Sequence, residues 1–366
     1  MRLPVFNADD PATIDYEQFE KMVDYYMERG FTYFDTAYPY HQEHSEGAVA
    51  RCLVDRYPRE SFVLADKMPI IRVKSVDDYE KYFKEQLERT HAQYFDYYLL
   101  HNMGQDRYEN TQKFGGFDFI QKKKEEGLVK KIGFSFHDNA EMLDRVLTDH
   151  PEVDFVQLQI NYLDWKSGVI ESGKCYDVAA KHGKPVVVME PVKGGTLANL
   201  PAPALEVIRN FEKEHDLPEM SPASYAIRYA ASKPNVIMVL SGMSNMEQLV
   251  DNTSYMQEFE PLSEAEEIML EAVAEVINAS TAVACTNCKY CTEVCPKNIN
   301  IPAYFALLNM YATTGKKTNM YYERYKMNRG LASDCVKCGL CENICPQHLS
   351  IRDDLVKFKE LYENQN

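Results

Sequence analysis

The sequence predicts an α/β fold, in which a (β/α)8 TIM barrel over residues 1–280 precedes a small, mainly helical domain over residues 281–366. Apolar segments without strict alternation, as buried parallel strands require, recur through the first 280 residues. Amphipathic patterns separate them, which is the order of a barrel or a doubly wound sheet. A doubly wound sheet that binds dinucleotides carries G-x-G-x-x-G after its first strand, and this chain has no such motif there. Eight of the ten cysteines lie after residue 284.

Local patterns define the individual elements of the barrel. Phe19, Met22 and Val23 recur at helical spacing, and Gly30 provides a stop for that helix. Seven strands are evident, and an eighth has only residues 3–6 available to it. The expected strands are residues 32–35, 62–67, 97–101, 131–136, 155–160, 186–189 and 236–241.

Composition and charge exclude several functional classes. The net charge is −16 over 366 residues, and residues 281–366 carry 11 Lys and Arg against 8 Asp and Glu. The acidity therefore lies in the first 280 residues, which argues against nucleic acid as a partner. The mildly basic end suits either an acidic electron carrier or an ordinary solvated surface. No run of 18 apolar residues exists, so we expect no membrane span.

Two runs of four cysteines share the spacing C-x2-C-x2-C-x3-C-P, 50 residues apart. In such runs three cysteines typically hold one 4Fe-4S cluster, while the fourth ligates the other cluster. We therefore expect two clusters in a reducing compartment, the cytoplasm, because the ligands must be thiolates. The expected ligand sets are Cys285, Cys288, Cys291 and Cys345 for one cluster, and Cys335, Cys338, Cys341 and Cys295 for the other.

Structural zinc is the main alternative reading of these cysteines. Zinc sites usually use two C-x-x-C pairs, or one pair with histidines, so a third close cysteine and a final Cys-Pro fit zinc poorly. Disulfides fit less well, because cysteines this close in sequence are rarely placed for four bridges. The 39 residues between the runs exceed the insert of a compact ferredoxin, so the module resembles the helical ferredoxins that dock on larger redox enzymes.

Polar residues end three successive predicted strands. Asp35, Lys67 and His101 occupy these positions, and Tyr40 follows in the loop after Asp35. Singly, each has an ordinary explanation, since strand-end lysines are usually solvated and lone histidines usually bond a carbonyl group. In a barrel, however, these strand ends meet at the mouth that carries the chemistry. The four residues together suit the reduction of a carbonyl group.

In that hypothesis Tyr40 donates a proton to the carbonyl oxygen. Its pKa, about 10 when unperturbed, is expected to be lowered by the ammonium of Lys67. Asp35 holds Lys67 in place, and His101 orients and polarises the carbonyl oxygen.

These residues resemble the catalytic tetrad of the aldo-keto reductase family. The matching segments are Phe-Asp-Thr-Ala-Tyr-Pro-Tyr up to Tyr40, Val-Leu-Ala-Asp-Lys up to Lys67, and Tyr-Tyr-Leu-Leu-His up to His101, in family order. The resemblance covers residues 1 to about 280, and the whole chain resembles the branch with a C-terminal ferredoxin domain. It implies an oxidoreductase that reduces an aldehyde or ketone with NADPH or NADH.

The resemblance also implies a nucleotide site. Ser135 and Gln159 match positions near the nicotinamide carboxamide, residues 189–195 match the loop along the nicotinamide and pyrophosphate, and residues 241–252 match the segment around the adenosine phosphate. The implied contacts are Ser135, Gln159, Met189, Pro191, Val192, Gly194, Gly242, Ser244, Asn245, Gln248 and Asn252.

Several positions depart from the family pattern. Gly242 and Gln248 stand where NADPH-specific members have basic residues, so no cation is expected there and NADH stays open. Phe136 replaces a carboxamide-binding asparagine. His41 and His44, in a loop two residues longer than the common form, face either an anionic substrate or solvent. The N-terminal hairpin and part of strand one are absent, so we expect a truncated start or a barrel bottom closed differently.

Three functions stay open from sequence alone. The first is a carbonyl reductase whose clusters have an auxiliary electron-transfer or docking role. The second is an electron-transfer protein that exchanges electrons with a partner flavoprotein or ferredoxin, since a hydride carries two electrons and each cluster accepts one. The third is a non-catalytic nucleotide-sensing scaffold, against which the complete tetrad argues. The carbonyl substrate is not identified, because loops at a barrel mouth vary freely.

Overall fold

The computed structural model describes residues 2–8, 10–168, 170–279, 282–283, 285, 287, 289–345 and 347–364. The chain divides into two compact units. The first comprises Met1–Lys166, Ile170–Ala198 and Pro218–Glu267, and the second comprises Ser167–Val169, Asn199–Leu217 and Ile268–Asn366. The domain boundary that we expect at residue 280 stays a prediction.

Seven parallel strands form one sheet in the first unit. Each strand pairs with the next along the chain, in the order β1 to β7, as a (β/α)8 barrel requires. Every strand that the sequence predicts is present, with ends shifted by at most a few residues. The strands are β1 (Tyr33–Asp35), β2 (Val63–Met68), β3 (Phe95–Met103), β4 (Val129–Phe136), β5 (Phe155–Gln159), β6 (Val186–Met189) and β7 (Val236–Val239).

The described part of the N-terminal segment does not form an eighth strand. Val5 makes a single antiparallel bridge to Ile14. The segment turns back on itself, because the Phe6 amide donates to the Thr13 carbonyl at 2.8 Å and the Asp15 amide donates to the Pro4 carbonyl at 2.9 Å. Several of its backbone groups are therefore bonded within residues 4–15 instead of in the sheet.

Helices alternate with the strands. The first begins after Asp15, whose carboxylate accepts from the Gln18 amide, and it buries Phe19, Met22 and Val23 as predicted. The helices up to residue 279 are α1 (Tyr16–Glu28), α2 (Ser45–Val49), α3 (Val76–Thr90), α4 (Gln105–Lys113), α5 (Gly116–Glu125), α6 (Ala140–Asp149), α7 (Ser172–Lys181), α8 (Ala202–Glu214), α9 (Pro222–Ala231), α10 (Met246–Met256) and α11 (Glu264–Ala279). No helix among the described residues combines the length and apolar character needed to cross a bilayer.

Apolar side chains cover both faces of the sheet. One face packs against the helices in the larger core, which includes Phe19 and Phe83. The opposite face carries a smaller cluster that includes Leu99, Phe155 and Val187. Phe155, on the neighbouring strand β5, lies against Gly133 of β4, where an added Cβ would be 2.5 Å from the Phe155 carbonyl oxygen. The strand ends therefore project from a sheet that is packed on both sides, which gives them a rigid base.

The second unit repeats its backbone after 50 residues. Left-handed φ angles at residues 287, 289 and 298 recur at residues 337, 339 and 348. In each half a one-turn helix carries the third cysteine of a run, and a longer helix follows the run. These helices are α12 (Tyr290–Glu293) and α13 (Ile301–Thr314) in the first half, and α15 (Leu340–Asn343) and α16 (Ile351–Tyr362) in the second, with α14 (Asn319–Tyr325) between the halves.

Candidate active site and cysteine-lined cavities

Lys67 lies near the end of β2 with its side chain fully buried. Its Nζ is 2.6 Å from Oδ1 of Asp35, at the end of β1, and 2.7 Å from the Thr36 carbonyl oxygen. Burial alone would lower the pKa of Lys67, but the charge of Asp35 and the phenol of Tyr40 outweigh it, and the net pKa is raised. Lys67 is therefore a charged ammonium at neutral pH.

The rings of Tyr40 and His101 meet edge to face, with their centroids 5.7 Å apart. The Nζ of Lys67 lies 4.9 Å from the centroid of the Tyr40 ring. The structure thus brings together all four residues of the predicted group, from the ends of β1 and β2, the loop after β1, and β3. Their catalytic roles stay a prediction.

The acid–base state of the site differs from the sequence expectation. Burial raises the pKa of Tyr40, Lys67 lowers it, and Asp35 raises it again, so that the net pKa is raised. The expected lowering of the Tyr40 pKa is therefore wrong, because burial outweighs the nearby ammonium. Burial and the Lys67 charge together hold the pKa of His101 well below its usual value, so that His101 is neutral. The site therefore holds a protonated phenol beside a neutral imidazole.

A buried polar network after β5 is absent from the sequence prediction. Oδ1 of Asp164 lies 2.5 Å from Nζ of Lys193, and both side chains are under one tenth exposed. Oδ2 of Asp164 accepts from the side-chain amides of Gln159, at 2.7 Å, and Asn161, at 2.8 Å. The Asn161 amide also donates to the Glu190 carbonyl. The sequence does show short polar loops directly after β5 and β6. It carries no sign that Asp164 of the first loop pairs with Lys193 of the second.

The residues implied near the nicotinamide lie at successive strand ends. The Ser135 hydroxyl, on β4, accepts from the Asn102 amide at 2.7 Å. Gln159 ends β5 and donates to Asp164 as described, and Met189 ends β6. Pro191 and Val192 follow β6 in the loop that leads to Gly194, whose φ is +64°. These contacts with a nucleotide stay a prediction.

Polar residues of the adenosine-phosphate segment take part in capping α10. The Asn245 side chain accepts from the Gln248 amide, and the Gln248 side chain accepts from the Ser244 amide. Asn252 donates to the Ser241 hydroxyl at 2.8 Å and accepts from Tyr255 at 2.7 Å. The nucleotide contacts predicted for these residues also stay predictions.

A residue that the sequence comparison did not consider reaches this region, although its charged end lies at Gly194 and not at Gly242 or Gln248. The aliphatic part of the Arg2 side chain runs against Gly242, and an added Cβ there would lie 3.1 Å from Cγ of Arg2. The residue comes from the opposite end of the first unit's sequence, so local comparison at Gly242 and Gln248 had no means of finding it.

The histidines of the extended loop have separate roles. Nε2 of His41 accepts from the Leu3 amide at 2.9 Å, and Nδ1 lies 2.7 Å from the Pro11 carbonyl oxygen. His41 therefore ties down the N-terminal segment. His44 is exposed and precedes α2.

Two cavities in the second unit are lined by cysteines from both runs. Each cavity is lined by cysteines of one run and by the final cysteine of the other run. Cys288 lies outside the described residues. The cysteines are Cys335, Cys338, Cys341 and Cys295 at one cavity, and Cys285, Cys291 and Cys345 at the other. This crossed arrangement agrees with the expected ligand sets, whose binding of clusters stays a prediction.

The donor chemistry of these cavities fits iron–sulfur clusters. Each thiolate of a cubane binds a different iron, so the ligands surround a cavity. Within the described residues, no three metal-ligating side chains converge on a single ion position. The remaining walls are largely apolar, with Ile299 and Leu355 at one cavity and Phe305 and Leu349 at the other. Such walls limit the access of water to a bound cluster.

The fold and the site define a barrel protein with a cluster of polar residues at its strand ends and, in addition, a cysteine-rich module. Residues 6–275 match the Aldo/keto reductase family, and the chain belongs to that family. Residues 284–349 match the 4Fe-4S dicluster domain. No curated protein matches this chain.

Solved structures of aldo-keto reductases share the fold. The holo form of an aldo-keto reductase from Bacillus halodurans is 22% identical, with a TM-score of 0.57 over 74% of this chain and 91% of that chain. An aldo-keto reductase from Klebsiella pneumoniae in complex with NADPH is 18% identical, with a TM-score of 0.57 over 75% of this chain and 90% of that chain.

Proposed function

We propose that the mouth of the barrel reduces the carbonyl group of a small aldehyde or ketone with a reduced nicotinamide dinucleotide. The observation that carries this proposal is the convergence of Tyr40, Lys67, Asp35 and His101 around one point. Family membership supports it, as does the NADPH complex of the neighbour from Klebsiella pneumoniae.

Tyr40 is the proton donor in this proposal. Its raised pKa keeps the phenol protonated at neutral pH, and the Lys67 ammonium, 4.9 Å from the ring centroid, stabilises the phenolate left after proton transfer. Asp35 and the Thr36 carbonyl fix the position of Lys67. Neutral His101 adds no charge of its own, and in this proposal it orients the carbonyl oxygen for Tyr40, whose ring it meets edge to face.

The residues that would hold the dinucleotide are those at the ends of β4, β5 and β6 and in the two glycine-containing loops. Gly194 adopts a left-handed φ of +64°, which favours glycine, and an added Cβ would lie 3.4 Å from Arg2 at Gly194 and 3.1 Å from Arg2 at Gly242. Ser135 and Gln159 provide polar groups for the carboxamide. When bound, the reduced dinucleotide supplies the hydride.

In this proposal the second unit carries two 4Fe-4S clusters with an auxiliary electron-transfer or docking role. Cysteines must be thiolates to bind iron, which suits a reducing compartment such as the cytoplasm. A second function, single-electron exchange with a partner flavoprotein or ferredoxin, is favoured by the two cysteine-lined cavities and the dicluster match.

Anaerobic oxidation of NADH and NADPH by cluster-loaded protein tests the first proposal. Aldehydes, ketones and dicarbonyls are offered as substrates, with Tyr40→Phe measured beside the wild type. We expect turnover that disappears in the variant. Full turnover in Tyr40→Phe contradicts the assigned proton donor. Absence of turnover with every carbonyl, together with cluster bleaching when NADH and a flavoprotein are added, favours the electron-transfer function.

A further inference from the structure

The side chain of Arg2 lies against Gly242 and Gly194, the two glycines of the proposed nucleotide site. An added Cβ at Gly242 would lie 3.1 Å from Cγ and 3.2 Å from Cδ of Arg2, so the aliphatic part of the side chain covers that glycine. At the far end, Nη1 donates to the Gly194 carbonyl at 3.3 Å, and an added Cβ at Gly194 would lie 3.4 Å from Nη2. The guanidinium thus lies at Gly194, in the loop after β6, and only the stem lies at Gly242.

Arg2 makes no ion pair with the part of the chain that the structure describes. Within the described residues, no carboxylate oxygen is within 4.0 Å of its nitrogens, whereas Lys67 pairs with Asp35 and Lys193 pairs with Asp164. The nearest acid to the same point is Glu190, whose Oε2 would lie 3.7 Å from the added Cβ at Gly194. Arg2 is also exposed, and a guanidinium has five N–H donors, of which the Gly194 bond uses one.

We propose that Arg2 binds the pyrophosphate of the nicotinamide dinucleotide. This inference rests on the proposed function, because it assigns a phosphate contact within that same nucleotide site. A guanidinium fork matches two phosphate oxygens, and its position at Gly194 places the charge beside the loop that follows β6. The adenosine-side glycine, Gly242, meets only methylene groups of Arg2.

The position of the Arg2 guanidinium predicts how this residue affects the choice between NADH and NADPH. NADH and NADPH share the pyrophosphate and differ only in the 2′-phosphate. A cation at the pyrophosphate therefore supports both nucleotides equally, and Arg2 does not distinguish them. A cation that contacted the 2′-phosphate would instead strengthen the binding of NADPH alone.

Equilibrium binding of NADH and NADPH to the full-length, cluster-loaded protein tests the inference without measuring turnover. Dissociation constants are obtained from nucleotide fluorescence for the wild type, Arg2→Gln and Arg2→Lys. Arg29→Gln is the control, since Arg29 is another arginine of the first unit that bonds Gln257, outside the site. We expect Arg2→Gln to weaken both nucleotides by about tenfold to a hundredfold, the usual range for a charged hydrogen bond, with Arg2→Lys between it and the wild type.

Gly242→Ala supplies a second variant that keeps the arginine. The new Cβ pushes against the Arg2 stem, so we expect weaker binding of both nucleotides in the single variant and no additional loss when Arg2→Gln is already present. Unchanged binding in Arg2→Gln, or a loss restricted to NADPH, overturns the inference and leaves the proposed function intact. A wild type that binds neither nucleotide overturns both.

Discussion

Lys67 and Asp35 form an ion pair at 2.6 Å in which the lysine side chain is fully buried and the aspartate side chain is one tenth exposed. The two residues lie 32 positions apart, on neighbouring strands. A buried charge that loses its partner is costly, whereas removing both charges is tolerated far better. The pair therefore links the stability of the barrel to the chemistry proposed at its mouth.

We expect Lys67→Met to abolish carbonyl reduction and to destabilise the barrel by about 3–5 kcal/mol, because Asp35 is left without its countercharge. The double variant Lys67→Met/Asp35→Asn should recover most of the stability and none of the activity. Urea unfolding followed by circular dichroism, together with nucleotide oxidation, measures both. Equal stability of the single and double variants would contradict the importance of the pair.

We expect kcat/KM for reduction not to fall as the pH rises toward about 10, the usual pKa of tyrosine. Tyr40 has a raised pKa because burial outweighs Lys67, so the proton donor stays protonated as the pH rises through 9. His101 has a pKa well below its usual value and adds no acid limb near 6.5. The profile of kcat/KM between pH 6 and 11 checks this, and a fall between pH 7 and 9 would show that Tyr40 ionises more easily than its burial indicates.

Gly133→Ala should destabilise the first unit by about 1–3 kcal/mol, since its new methyl group meets the Phe155 backbone and ring and the strand has to move. Gly47→Ala is the matched control. Gly47 lies within α2, where an added Cβ meets no atom within 4 Å, so the same substitution should raise stability by up to about 1 kcal/mol. Chemical unfolding of both variants is the measurement, and a neutral effect at Gly133 would show that Phe155 can repack.

Pairs of cysteine substitutions should reveal which ligands share a cluster. If the pairing is crossed, Cys338→Ala/Cys295→Ala removes one cluster and retains about half of the iron and sulfide. Cys285→Ala/Cys295→Ala then damages both clusters, although both residues belong to the first run. Iron and labile sulfide analysis distinguishes the cases. Retention of half the iron in the second variant would show that each run holds its own cluster.

The sequence predicted the seven strands and the group at their ends because buried parallel strands and strand-end polar residues leave local patterns. Residues 186–189 match their strand fully, and the others shift by a few residues at their ends. The eighth strand was beyond such reasoning, because whether residues 3–6 join the sheet or bond residues 13–15 depends on competing partners.

Features that depend on distant partners or on burial were not predictable. Arg2 and Gly194 are 192 residues apart, and Asp164 and Lys193 meet across two loops, so neither contact leaves a local signature. The sign of the Tyr40 pKa shift required the balance between burial and the Lys67 charge, which only the structure provides. The lining of each cavity by described cysteines from both runs was predictable, since their spacing repeats a known pattern of ligation, while the ligand sets themselves stay a prediction.

The sharing of each cavity between the two cysteine runs also bears on how the protein matures. Neither cavity has a complete wall until the ribosome has passed Ile351, because each draws on residues from both halves of the module. The barrel sequence, in contrast, has already left the ribosome by then. In the proposed function, iron delivery is therefore a late event, and cells that lack a supply of iron and sulfide should accumulate full-length chains without clusters.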